Sequence, residues 1–333
     1  MKHEPMRPVF VETEKYEEGF TEHYNSYVKP HVESFEEERQ KAHQKAKFRT
    51  MVSIPIILGT IIITAIYSWD TTNSSADQLK GLGALIIFIC AGCSWWVMSA
   101  IKTYKQHVKN TIFPNIIKFL GDFDYRPTAG NLAYRHKSSH IVPNYDRESS
   151  QDHIKGSYKG VTIDVFESKL ERKHYNSKQK RHEYRTIFTG IMICLSMNKS
   201  FNGITILKRD RGRLLNYISS KFESLETIKL EDPRFEKIFE VYGSDQIEAR
   251  YLLTTALMQR ILDLAEVLKS NKIECSFYND KLLIMVPLND DFFEPGPIYE
   301  PETFVDDAKM VLKEMNLLFQ IIDTLKLNQQ TGL

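Results

Sequence analysis

The chain has 333 residues, and its 44 Lys and Arg almost cancel its 43 Asp and Glu. So even a balance gives no global field to attract nucleic acid. The four cysteines, Cys90, Cys93, Cys194 and Cys275, include no CxxC in a polar segment, which excludes a disulfide framework and a zinc knuckle.

Residues 1–48 read as an N-terminal amphipathic helical segment, irregular to about residue 12. From Glu14 to Arg49, Phe20, Tyr24, Tyr27, Val28, Val32 and Phe35 recur at helical spacing and make one apolar stripe. Pro30 falls inside the pattern and should break or kink it. Such a helix can pack on its own domain, pair with a second copy or lie on a membrane, in that order of ordinariness.

Residues 49–102 read as a transmembrane hairpin. Its two spans, about 51–69 and 81–101, contain no charged residue. At 1.5 Å per residue they reach about 28 and 31 Å, enough for a hydrocarbon core of ~30 Å. A buried hairpin in a soluble protein would keep a polar face, and neither run has one. A cleaved signal peptide would not sit behind a long charged segment. Arg39, Lys41, Lys45, Lys47 and Arg49 precede the first span and Lys102, Lys105 and Lys109 follow the second. The loop Asp70–Lys80 holds a single lysine. Positive-inside asymmetry puts both termini in the cytoplasm and this loop outside. Tyr67, Trp69, Trp95 and Trp96 suit the interfaces. Pro55, close to the start of the first span, should remove few helical bonds. Ser53, Gly59, Thr60 and Thr64 facing Gly83, Ala84, Cys90, Ala91 and Ser94 would let the two backbones approach. No ionisable group lies within either span, which argues against a proton relay or ion path inside the hairpin.

Residues 103–150 read as a helical extension, Lys102 to Phe119 ending near Gly121, followed by a connector through Pro127, Gly130 and Pro143. Residues 151–333 read as a cytoplasmic domain. Strands are expected from His153, turning at Lys159-Gly160, then at 185–200, 203–209, 227–230 and 239–242. A hairpin turns at Asn279-Asp280. Helices are expected at Gly212–Phe222, Leu257–Lys269 and Pro301–Leu325. Strands joined by hairpins, with helices added, define an α+β class: a transmembrane helical hairpin plus a domain with a mainly antiparallel sheet.

Two stretches stand out: LEDPRFEKIFEVYGSDQIEARYLLTTALMQRIL (Leu230–Leu262) and IVPNYDRESSQDHIKGSYKGV (Ile141–Val161). They resemble an uncharacterised family of bacterial two-span membrane proteins, known only as a domain of unknown function. Its members carry a polar N-terminal helix, a hairpin of two spans and a cytoplasmic domain. The resemblance implies no catalytic residues, so none is carried over.

In the long block Asp245, Glu248 and Arg250 are the weak catalytic candidates, a carboxylate pair beside an arginine that could hold an anion. Helix capping explains the same residues: Asp232-Pro233 suits a helix start, and Ser244 or Asp245 with Glu248 resembles a capping box. His136 and His140 have ligand spacing, yet Ser138, Ser139 and Pro143 do not favour a helix, so no metal site is expected. The segment Lys169–Arg185 reads as a basic loop with interleaved Tyr175 and Tyr184. Lys169, Arg172, Lys173, Lys178, Lys180, Arg181 and Arg185 could meet anionic lipid headgroups or another polyanion, with a solvated loop as the plainer reading. Phosphate-loop, dinucleotide, nucleophile-elbow and HExxH signatures are absent, and no cofactor is implied.

The sequence therefore favours a membrane-anchored binding or scaffold module without enzymatic activity. Its expected partners are the lipid bilayer and either its own copies or another membrane protein, with nucleic acid disfavoured. An uncharacterised enzyme at the inner membrane face, and a subunit of a transport or channel assembly, are the alternatives.

Overall fold

The computed structural model describes residues 9–70, 76–177, 180–209, 225–268, 272–288 and 291–327. The expected helix at Gly212–Phe222, the side chain of Lys178 and the core of the 70–80 loop lie outside these residues. By its contacts the chain forms two compact units, residues 1–116 with Pro295–Ala308, and residues 117–294 with 309–333.

The first unit is helical. Short turns at Lys15–Glu17, α1 (Phe20–His23), a π-turn at Tyr24–Val28 and a 3-10 turn at Lys29–His31 lead into α2 (Val32–Asp70); α3 (Ala76–Ile117) follows. Pro30 thus interrupts the N-terminal segment, as its ring and missing N–H demand. The stripe buries Phe20, Tyr24, Val28 and Phe35, but Tyr27 is exposed. The Phe10 ring packs edge-on against Phe20 at 4.8 Å, and Phe35 against Phe304 at 5.4 Å. This N-terminal segment packs on Pro295–Ala308, which sequence reading had run on with residues 151–333. Arg39 Nη1 donates to the Ile298 carbonyl, the Glu302 N–H donates to Glu36 at 2.8 Å, and the Tyr24 hydroxyl donates to the Thr303 carbonyl. Arg39, first among several donors to Glu36, holds that carboxyl down at about 2.

Two expectations for the hairpin are corrected. Pro55 lies deep inside the continuous α2, where its missing N–H frees the Met51 carbonyl in mid-helix. The expected small-residue seam is found only on α2, where Ser53 and Thr64 are buried and Gly59 and Thr60 half-buried, and it is not tight: a Cβ added at Gly59 or Gly83 would meet nothing. On α3 the less exposed positions include Leu82, Ile86, Ile89, Cys90, Cys93 and Val97, whereas Gly83, Ala84, Ala91 and Ser94 are exposed.

In the second unit the described residues form one antiparallel sheet of nine strands in the order β1-β2-β3-β4-β9-β8-β5-β7-β6. The strands are β1 (Phe123–Thr128), β2 (Arg147–Tyr158), β3 (Val161–Asn176), β4 (Arg181–Ser196), β5 (Thr205–Arg209), β6 (Glu226–Ile228), β7 (Phe239–Gly243), β8 (Glu274–Tyr278) and β9 (Lys281–Pro287). Between them lie α4 (Pro233–Glu236), α5 (Gln246–Leu252) and α6 (Thr255–Val267); α7 (Val305–Leu325) starts in the first unit and closes the second. Lys159-Gly160 and Asn279-Asp280 all have positive φ, the tight-turn geometry expected from those pairs. Strand β1, with Pro127 near its end, takes the place of the expected irregular connector. It pairs on one side only, so the missing N–H of proline is tolerated there.

Both faces of the central strands are buried, which explains their nearly unbroken apolar runs. On one face Phe166, Met192 and Met285 are cross-strand neighbours and pack with Leu132, Ile141 and Val142 from the segment after β1. On the other lie Val165, Ile193 and Ile284, in register with β2 residues Ile154, Gly156 and Tyr158 by alternation. Tyr158 stacks on Phe319 of α7 at 4.1 Å, so α7 lies on this face. Gly156 is needed here because the Phe123 ring would stand 2.3 Å from its Cβ.

Candidate functional site

The basic segment is a β-ribbon rather than a loop. β2 last pairs with β3 at Arg147–Glu171, while β3 and β4 run on together from Arg172–Arg185 to Asn176–Arg181. This tip carries Arg172, Lys173, Lys180, Arg181 and Arg185, all exposed, with Lys169 exposed at its base. Strand alternation sorts it into two faces. Arg172, His174, Asn176, Arg181, Glu183 and Arg185 share one, where Glu183 accepts from Asn176 at 3.0 Å and pairs with Arg181 at 3.4 Å. The other pairs Lys173 with Tyr184 and Tyr175 with His182, and there the Arg147 guanidinium lies 4.7 Å from the Tyr184 ring centroid. The ribbon is therefore cationic on one side, and mixes cation with ring on the other.

The carboxylates of the long block are committed to the backbone. Asp245 caps α5 and accepts from the N–H groups of Ile247 at 2.8 Å and Glu248 at 3.0 Å. Glu248 does not complete a capping box. It turns instead to the N–H groups of Asn202 at 2.8 Å and Gly203 at 2.6 Å, tying the loop before β5 to α5. Ser244 Oγ accepts from the Ile204 N–H at 2.9 Å in the same joint. Arg250 is exposed. Asp232 caps α4, and Glu236 accepts from the Leu230 N–H at 2.7 Å. The second stretch is equally occupied: Glu148 accepts from the Ala133 N–H, Ser150 and Tyr145, pinning the cover segment to the sheet.

His136 and His140 are not paired as ligands. His136 is buried in a 3-10 turn, where it shares a hydrogen bond of 2.8 Å with the Tyr278 hydroxyl. Desolvation lowers its pKa, keeping it neutral. His140 ends that turn with φ 62°. No three His, Cys, Asp or Glu among the described residues are placed to share a metal ion. Burial pushes the Cys194 thiol up to about 11 and that of Cys275 up to about 12, so neither supplies a thiolate at neutral pH.

Sequence reasoning missed a buried acidic group in the second unit. Tyr125 donates to Asp152, which sits at a bulge in β2 with φ 51°. One strand away, Glu167 accepts from Gln151 at 3.1 Å and from the Phe292 N–H at 3.3 Å. Burial, with Asp291 and Asp152 nearby, raises Glu167 to about 7. Their polar spacing looks like an exposed strand edge, so only the bulge could have signalled them.

Residues 186–327 match a family described as "Protein of unknown function (DUF3137)", which spans β4 through α7. No curated protein matches the chain. Among solved structures, the crystal structure of the mycobacterial trehalose monomycolate transport factor A, TtfA, aligns at a TM-score of 0.33 and 13% identity, over 63% of this chain and 93% of that one. Likeness at that level transfers neither fold nor role.

Proposed function

We propose that this chain is an integral membrane protein. In this reading α2 and α3 anchor a non-enzymatic binding module to the inner face, with both termini in the cytoplasm. The observation that carries the reading is the solvent exposure of the apolar windows. Both helices hold an 18-residue window of mean hydropathy 2.1, of which only 11% in the first and 6% in the second is buried by the protein. Ile54, Leu58, Ile62, Ile66, Leu85 and Phe88 all point outward. A hairpin serving as the core of a soluble fold would bury them, since each fully buried side chain of this size gains about 1.5–3 kcal/mol. Lipid does the same. The module reading is supported by Asp245 and Glu248, whose oxygens already accept backbone N–H groups rather than facing an open cleft. Uncharged spans weigh against an ion path through the hairpin.

The ribbon is proposed to meet anionic headgroups through Arg172, Lys173, Lys180, Arg181 and Arg185, with Lys178 and Lys169 beside them. Each basic residue contributes roughly 1 kcal/mol near such a surface.

Alkaline carbonate extraction tests the anchor, and reporters test its direction. The chain is expected to stay in the pellet, a C-terminal fluorescent protein to glow, and alkaline phosphatase inserted after Thr72 to be active. Release into the supernatant refutes the anchor, and an active C-terminal phosphatase reverses the topology. For the ribbon, trypsin should cut 172–185 readily in phosphatidylcholine vesicles and slowly in phosphatidylglycerol ones. Equal cutting in both removes the lipid role.

A further inference from the structure

The first unit contains a cleft of about 400 Å³ between α2 and α3, just outside the apolar spans. Its α2 wall is Glu38, Lys41, Ala42, Lys45 and Arg49; its α3 wall is Ser99, Ala100, Thr103, Tyr104 and His107. The spacing places these side chains on facing stripes, with 41, 45 and 49 one turn apart along α2 and 99, 103 and 107 along α3. Ala42, Ser99 and Ala100 are too small to fill the gap, so the cleft is open.

Its charge is lopsided. Lys41, Lys45 and Arg49 share the α2 wall with Glu38, whose carboxylate is already engaged at 2.8 Å with His107. Lys41 reaches only Glu37, at 3.8 Å and well exposed, and Lys45 has no acidic partner among the described residues. Arg49 is held in place. Its Nη1 donates to the Trp96 carbonyl at 2.6 Å and to Ser99 Oγ at 2.7 Å, and its guanidinium lies 5.3 Å from the Trp96 ring centroid. These bonds use one nitrogen and fix the plane of the group; Nε and Nη2 have no protein partner among the described residues. A fixed guanidinium with two donors to spare, next to two lysines, is a phosphate-binding arrangement.

Position selects the source of the phosphate. Arg49 immediately precedes the first span and Ser99 lies in the last turn of the second, so the cleft lies level with the inner headgroups if the hairpin spans the bilayer as proposed above. Basic pockets between membrane helices on that side suit anionic lipid heads, and the volume falls in the range of a small-molecule site. We infer that this cleft binds the phosphate of one anionic phospholipid from the inner leaflet, held by Arg49, Lys45 and Lys41.

The test is native mass spectrometry of the full chain, purified and delipidated in mild detergent, titrated with short-chain phosphatidylglycerol, phosphatidylcholine and inorganic phosphate. Lys169, Arg172, Lys173, Lys178, Lys180, Arg181 and Arg185 are all changed to Gln so that the ribbon adds no sites. One phosphatidylglycerol should bind in preference to phosphatidylcholine, and Lys45→Gln with Arg49→Gln should weaken it about tenfold or more. Lys41→Gln with Lys45→Gln leaves the Arg49 bonds to α3 intact and should still weaken binding severalfold. Equal binding of the two lipids, or no loss in either variant, overturns the site. Competition by millimolar inorganic phosphate together with no preference between lipids assigns the cleft to free phosphate and overturns the lipid source. Carbonate extraction of the same variants keeps the outcomes apart: variants that stay in the membrane yet bind lipid unchanged sink only the cleft, whereas a parent chain washed off the membrane sinks the anchor.

Discussion

Asp307 gives the sharpest test of how the first unit is held together. The Pro295–Ala308 segment is fastened at both ends by carboxylates: the Gly296 N–H donates to Asp307 at 2.8 Å, and Glu302 accepts from Tyr104 at 3.0 Å and from the Phe304 N–H at 2.9 Å. Asp307 is buried close to the Glu302 carboxyl, so its charged form is disfavoured. Burial first, and Glu302 second, raise Asp307 from 3.8 to about 7. An acid whose folded pKa is raised is stabilising while protonated. Its contribution is complete below about pH 4 and is lost as pH rises to 7 and beyond. The full shift is worth about 4 kcal/mol at 1.36 kcal/mol per unit. Asp307→Asn imitates the protonated form, removing the charge and keeping an acceptor for Gly296. Hydrogen exchange of the 296–304 amides in detergent, corrected for intrinsic base catalysis, is the assay. In the parent chain, protection should fall between pH 5 and 8.5. In Asp307→Asn it should stay level, leaving the variant about 2–4 kcal/mol better protected at pH 8.5 and about 1–2 kcal/mol better at pH 5, since the parent's loss begins near pH 4. Parallel curves for the two proteins would falsify the raised Asp307 carboxyl.

Glu167→Gln should act likewise in the second unit, stabilising it by about 1–2 kcal/mol at pH 8 and by little below pH 5, since the raised carboxyl loses its favourable protonated form across that window; urea melts at both pH values decide it. Gly190→Ala should cost about 3 kcal/mol or more in the same melts. Its φ is 150°, and a Cβ there would stand 2.1 Å from the Val286 carbonyl oxygen, backbone that cannot swing away. Asp245→Ala should cost about 1 kcal/mol through the lost cap, and Glu248→Ala about 1–3 through two amides left unpaired. Arg250→Ala, at an exposed position, should stay within about 0.5 kcal/mol. A stable protein that loses a measurable activity on any of these three changes would restore the catalytic reading of the block.

Periodicity and turn chemistry carried most of the fold because they are local. The two long apolar helices, the Lys159-Gly160 and Asn279-Asp280 hairpins, the Leu257 helix and the closing helix were all legible from residues whose spacing alone decides their conformation. What the sequence hid depends on partners far along the chain. β1 reads as a connector because Pro127 and Gly130 mark turns, and only pairing with β2 makes Phe123–Thr128 a strand. The segment 295–304 shows no periodicity at all; Glu36, Arg39 and Tyr24 fix it through backbone atoms, which no side-chain pattern advertises.

The same distinction separates the candidate sites. The ribbon's charge was legible as composition, but its two faces were not, because a loop has no alternation and a ribbon does. In the capped block, conspicuous charges turned out to serve the backbone. That follows from their setting: α4 has four residues and α5 seven, so each end needs outside acceptors for its N–H groups. The cleft between α2 and α3 reverses this. In the sequence Lys41, Lys45 and Arg49 were legible only as an orientation signal, part of the charge asymmetry expected to set the topology. About two turns of helix also aim them at one wall of α3, where Ser99 and Trp96 immobilise the last of them. An orientation signal tolerates any basic residue at any of these positions. A phosphate cleft does not, and an Arg49→Lys change, which keeps the charge and loses the fork, separates the two demands.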